Sequence, residues 1–107
     1  MGYGDIQAYN KESKIPTPYL NRLAEGGMLF TDAHSSSAVC SPTRATFLSG
    51  LIPSQHGVHC FLDGKYMMGP EAYGTLEEFR TLPKILAENG YVCGLTGKWH
   101  LGANLTP

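Results

Sequence analysis

Cys40-Ser41-Pro42-Thr43-Arg44 places a cysteine and an arginine one helical turn apart at a helix start. Ser41 suits an N-cap and Pro42 the first helical position, where a missing N–H is harmless. The stretch therefore predicts a helix from Pro42 to about Ser49, with Gly50 ending it. Cys40 then lies just outside that N-terminus. Unpaired backbone N–H groups and the positive end of the helix dipole favour negative charge there, and Arg44 adds a fixed cation within reach. The stretch reads as an anion site.

Working outward, Thr17 caps and Pro18 opens a predicted helix through about Glu25. Leu20, Leu23 and Ala24 form its apolar face, and Gly26-Gly27 its stop. Met28 to Ala33 reads as a strand, and Ser35-Ser36-Ser37 as a polar connection delivering the chain to Cys40. Cys40 thus follows a strand and precedes a helix, where α/β sheets usually build sites. Leu51 to Thr75 is rich in Gly, Pro, Tyr and Met without a period, so a long irregular loop is expected there. Tyr66, Met67, Met68 and Tyr73 in it serve either as loop packing or as an aromatic substrate rim. Leu82, Ile85 and Leu86 mark a helix ending at Asn89-Gly90, and Tyr91 to Thr96 a strand that delivers Lys98 and His100. If that strand continues in extended form past Gly97, Lys98 and His100 leave on one face and Trp99 on the other. A helix between two strands suits a parallel crossover. The expected class is α/β, a mainly parallel sheet flanked by helices.

The chain has 107 residues, enough for one small domain, and a net charge of −1. The charge balance points neither to nucleic acid nor to an anionic membrane, and no apolar run approaches a membrane span. Met1-Gly2-Tyr3-Gly4 is not a signal segment. Three cysteines, Cys40, Cys60 and Cys93, leave one unpaired under any disulfide scheme, with a Cys60–Cys93 bridge open. His56-Gly57-Val58-His59-Cys60 is poorly spaced for a closed zinc site, and His56 and His59 read as loop residues. Taken singly, Cys40 would be a buried thiol, Arg44 and Lys98 solvated charges, and His100 as readily structural as functional. Pro42 and the placement of all four at element ends turn the reading toward a site.

At these residues the chain resembles the type I sulfatases, whose C-x-P-x-R signature is matched by Cys40-Ser41-Pro42-Thr43-Arg44. Gly2-Tyr3-Gly4-Asp5 is similar to that family's opening segment and Thr17-Pro18-Tyr19-Leu20-Asn21-Arg22-Leu23-Ala24 to its first helix. Gly97-Lys98-Trp99-His100-Leu101-Gly102 resembles its second signature. The four matches keep their order and span nearly the whole chain.

The resemblance implies an alkaline-phosphatase-like domain and a hydrolase of sulfate esters, aryl or carbohydrate. Cys40 would be oxidised by a formylglycine-generating maturation enzyme to formylglycine (3-oxoalanine), whose aldehyde hydrates to a geminal diol. One hydroxyl, deprotonated with the help of a metal and nearby cations, attacks sulfur. The other loses its proton after the alcohol has left, and collapse to the aldehyde expels sulfate. By residue-by-residue carry-over, Arg44 holds the diol, Lys98 bridges diol and sulfate oxygen, and His100 hydrogen-bonds the diol. Cys40 in its oxidised form is also a ligand of calcium. The family implies a periplasmic, secreted or lysosomal setting.

Of the family's calcium ligands only Cys40 has a counterpart here. Two aspartates that precede the Gly-Tyr-Gly-Asp segment, and a distant Asp-Asn pair, have none, nor do a downstream histidine and lysine. Asp5 reads as structural. The chain is therefore expected to be an N-terminal catalytic fragment, residues 1–107 of a domain truncated at both ends, with Leu105-Thr106-Pro107 inside a loop. Two further readings stand beside the sulfatase: a phosphodiester or phosphonate hydrolase of the same superfamily, and a catalytically inactive structural piece.

Overall fold

A computed structural model of the chain describes residues 1–67 and 74–102. The expected end loop at 105–107, like Met68 and Tyr73, lies outside them, as do the side chains of Tyr66 and Met67. The chain forms two compact units, Met1–Ala33 and a second beginning at His34.

In the first unit a 3₁₀ turn, Tyr3–Asp5, precedes helix α1, Pro18–Gly26. Pro18 opens α1 as its spacing predicts, and the helix stops at the Gly26-Gly27 pair. Thr17 does not cap it through its side chain. Its Oγ1 instead accepts the Gln7 N–H (3.0 Å), while Gln7 Oε1 accepts the Thr17 N–H (3.1 Å), a reciprocal pair across ten residues. The Asp5 carboxylate accepts the Gly2 N–H at 2.5 Å, and Tyr9 O–H donates to the Phe30 carbonyl at 2.8 Å.

The second unit is built on α2, Cys40–Ser49, which packs against α3, Pro53–His56, and α5, Leu82–Glu88; α4 is Gly64–Met67. Helix α2 starts two residues earlier than its sequence suggests. Val39 occupies the N-cap position, so Cys40 is the first helical residue and Ser41 is not the cap. Pro42 remains in the first turn, where its missing N–H has no partner to lose. Gly50 closes the helix as expected, left-handed at φ 72° with its N–H on the Thr46 carbonyl at 2.8 Å. Beneath α2 lies a small core of Ala45, Val58, Leu76 and Leu101, with Leu48, Leu62 and Phe79 against it. Leu101, 1 % exposed, is the largest of the fully buried side chains.

Two further expectations, both about elements, need correction. Neither Met28–Ala33 nor Tyr91–Thr96 is a strand, and among the described residues there is no sheet. A strand is held by ladder hydrogen bonds to a neighbour and by a covered face. These segments have the composition without the neighbour: Phe30 is 61 % exposed and Val92 fully so. Second, the supposed irregular loop from Leu51 holds two single-turn helices, α3 and α4. The signal for α3 was readable, since Pro53 takes its first position and Gly57 ends it at φ 76°.

His56, read as a loop residue, is buried and joins α3 to α2. Its Nδ1 accepts the Val58 N–H (3.1 Å), so the neutral ring carries its proton on Nε2, which donates to Thr46 Oγ1 (3.1 Å). Burial and the neighbouring His59 hold its pKa below the ordinary 6.5, outweighing a backbone hydrogen bond that acts in the other direction. The folded state disfavours the charged ring. Stability is therefore full above about pH 6.5 and falls as pH drops from there through the lowered folded value. Denaturant titrations between pH 7.5 and 5 should show that decline. In His56→Gln the slope should flatten, with a loss of about 1–3 kcal/mol at pH 7.5 from the buried partners left unpaired.

Candidate active site

Cys40, half-buried at the first position of α2, has its Sγ 3.2 Å from Nδ1 of His100. On the far side of the ring, Nε2 lies 2.9 Å from the Leu62 carbonyl oxygen. A carbonyl only accepts, so Nε2 carries the proton, and in the neutral ring Nδ1 turns a lone pair toward Cys40. The Leu62 N–H in turn donates to Ser41 Oγ at 3.4 Å.

The segment carrying His100 is a turn, not a continued strand. Gly97, His100 and Gly102 have φ of 106°, 56° and 85°. The same-face argument for Lys98 and His100 thus fails in its premise, and the turn supplies the convergence instead. A left-handed histidine costs about 1–3 kcal/mol and persists only where its surroundings over-determine it. Those surroundings are visible. Leu101 is locked in the core, and its carbonyl accepts both the Thr75 N–H (3.3 Å) and the Thr75 hydroxyl (2.8 Å). Trp99 Nε1–H donates to the Gly102 carbonyl at 2.5 Å.

Arg44, one turn along α2 from Cys40, donates from Nη1 to the Lys98 carbonyl, which ties the helix to the turn. Its Nε is buried and, among the described residues, without a partner. Arg44 and Cys40 share the wall of a shallow cleft of about 280 Å³ with Ser35, Ser37 and Thr43. Burial acts most strongly on the Cys40 thiol and pushes its pKa up. The Lys98 charge and hydrogen bonds from Ser41 together outweigh it, so the net shift is below the ordinary 9.0.

All four residues singled out in the sequence thus fall in the second unit. His100 touches Cys40, Lys98 acts on it through charge, and Arg44 holds the Lys98 backbone. Two participants were missed, Leu62 and Ser41 in its role as an acceptor; Leu62 lies in an aperiodic stretch with no signal to find it. All three cysteines are free, Cys60 and Cys93 included. Among the described residues no group of three or more His, Cys, Asp or Glu side chains could hold a metal. Calcium takes roughly six to eight oxygens, so this donor set does not by itself fit calcium.

The sequence has counterparts among known proteins. The sulfatase family model matches residues 1–105. The chain belongs to the sulfatase family. It is 39 % identical over 103 residues to arylsulfatase A of Bos taurus, covering 95 % of this chain and 19 % of that protein. With N-acetylgalactosamine-6-sulfatase of Canis lupus familiaris it shares 38 % over 105 residues, covering 95 % and 20 %. With human arylsulfatase G it shares 37 % over 102 residues, covering 95 % and 18 %. The chain therefore spans about a fifth of the length of the curated relatives it matches. No solved structure gives a significant match.

In this sulfatase chain the depressed thiol of Cys40 can be measured before any modification. Alkylation by iodoacetamide, followed at the Cys40 peptide across pH, should show a midpoint below 9, and Lys98→Met should move it upward. An unchanged midpoint in the variant would mean that Lys98 does not act on the sulfur.

Proposed function

We propose that residues 1–107 are the N-terminal catalytic segment of a longer sulfuric ester hydrolase, truncated at both ends, with formylglycine made from Cys40 as its nucleophile. The observation that carries this is the approach of His100 Nδ1 to Cys40 Sγ at 3.2 Å beside the charge of Lys98. The family match and the signature residues support it. For the whole protein the family match supports an α/β, alkaline-phosphatase-like domain with a mainly parallel sheet flanked by helices.

On this reading a thiol is exchanged for a hydrated aldehyde because the diol has two jobs. One hydroxyl oxygen forms the bond to sulfur as the alcohol departs with the electron pair of its S–O bond. The second hydroxyl gives up its proton, its oxygen re-forms the carbonyl, and the C–O bond to the sulfate breaks. A serine could be sulfated but has no such exit. Lys98 sets a cation between diol and sulfate oxygen, and Arg44 holds the diol end of α2 against the turn. His100 presents an acceptor to the diol. Positioned charge of this sort is the main electrostatic device of acyl-, phosphoryl- and sulfuryl-type transfers.

Calcium belongs to the parent enzyme by family, with the oxidised Cys40 as one ligand among others contributed from elsewhere. The partners are an aryl or carbohydrate sulfate ester and a formylglycine-generating enzyme, in a periplasmic, secreted or lysosomal setting. No helix among the described residues is long and apolar enough to cross a membrane.

The test uses the parent protein produced with the maturation enzyme. Arg44→Ala and Lys98→Ala should each lower turnover of an aryl sulfate about a hundred- to a thousandfold, the usual effect of removing one preorganised donor, with far smaller effects on melting. The matched aryl phosphate should be the poorer substrate. Near-normal turnover in both variants would reduce these cations to surface decoration, and preference for phosphate would favour the phosphodiester or phosphonate reading.

A further inference from the structure

We propose that Ser41 is a positioning residue of the site, acting through the Leu62 peptide to fix which nitrogen of His100 faces the nucleophile. The inference rests on the sulfatase reading above and adds to it a part that no motif assigns.

The Ser41 hydroxyl lies in an unusual place. Ser41 is fully buried in the first turn of α2, where a serine ordinarily caps its own helix, yet α2 has no side-chain cap. Its hydroxyl serves two neighbours: it acts on the adjacent Cys40, and its Oγ accepts the Leu62 N–H of another segment at 3.4 Å. The other end of the same residue is also engaged, since the Leu62 carbonyl accepts Nε2–H of His100 at 2.9 Å. His100 Nδ1 then reaches Cys40 Sγ at 3.2 Å, and Cys40 is the chain neighbour of Ser41. The contacts close a ring, Cys40 to Ser41 to Leu62 to His100 and back to Cys40. Each link fixes the next.

The ring has a chemical consequence. A neutral imidazole presents either a donor or an acceptor at a given nitrogen, and the partner of the other nitrogen selects which. A carbonyl held at Nε2 leaves Nδ1 as the acceptor toward position 40. Without Ser41 the Leu62 N–H loses its buried partner and the peptide is free to turn, so that His100 can place a proton where the site needs a lone pair. Leu62 packs against the core through its side chain, which keeps the segment near but does not set the direction of its peptide.

The experiment is a double-mutant cycle in the parent protein made with the maturation enzyme, with rates normalised to formylglycine content by peptide mass spectrometry. Ser41→Ala should lower kcat on an aryl sulfate about tenfold or more, as loss of an outer partner of a site histidine does, with KM nearly unchanged. In the His100→Ala background the same substitution should have a much smaller effect, the residue of it being the direct hydrogen bond of Ser41 toward position 40. Losses that multiply in the two backgrounds, or an unchanged kcat in Ser41→Ala, would overturn the proposal. Nitrogen-15 spectra of histidine-labelled protein give a readout independent of turnover. His100 should be protonated at Nε2, with a shift of population toward Nδ1–H in Ser41→Ala, and a spectrum that Ser41→Ala leaves unchanged would also overturn the proposal. A protein that shows this tautomer response but does not turn over sulfate esters would overturn the sulfatase reading alone.

Discussion

The contact between Cys40 Sγ and His100 Nδ1 joins residues sixty apart in sequence, and the second unit is arranged around making it possible. One side is fixed by helix α2, whose first turn is buried at Ser41 and Pro42 and whose last is sealed by a left-handed Gly50. The other side is fixed by a turn that the backbone would not adopt unaided, with His100 in the left-handed region between Gly97 and Gly102. Burial of Leu101 beside the strained residue offsets that cost. Fully burying a leucine is worth about 1.5–3 kcal/mol, the same order as the strain.

Electrostatics follow from this geometry. Burial alone would make Cys40 an ordinary inert thiol. The cation of Lys98 and the hydrogen bonds of Ser41 reverse that tendency, so the environment favours negative charge at position 40 while the residue is still a cysteine. The groups that favour an anion there belong to α2 and to the turn. Arg44 serves both, holding the Lys98 carbonyl with one nitrogen while its Nε stays buried and without a partner among the described residues.

What could be read from the sequence was what local chemistry encodes. Pro18, Pro42 and Gly50 mark helix ends because proline lacks an N–H and glycine tolerates positive φ, and α1 and α2 lie close to where those residues put them, as α5 does to its Asn89-Gly90 stop. Cys40, Arg44, Lys98 and His100 could be singled out from the spacing of two short motifs, although the extended backbone assumed to align the last two is replaced by a turn. The roles of Ser41 and Leu62 were not legible, since a hydrogen bond from a backbone amide depends on where distant segments meet. The strands failed for a related reason. The aromatic and β-branched residues of Tyr91–Thr96 record a capacity to pair, and pairing needs a neighbouring strand that the described residues do not provide.

The central claim is that position 40 is chemically a formylglycine precursor held in an anion-favouring site. Mass spectrometry of the peptide spanning Cys40, taken from the parent protein made with a formylglycine-generating enzyme, tests it most directly. The account predicts the aldehyde or its hydrate at residue 40 in active protein. An unmodified Cys40 thiol in fully active protein, or a cystine joining Cys40 to Cys60 or Cys93, would contradict it.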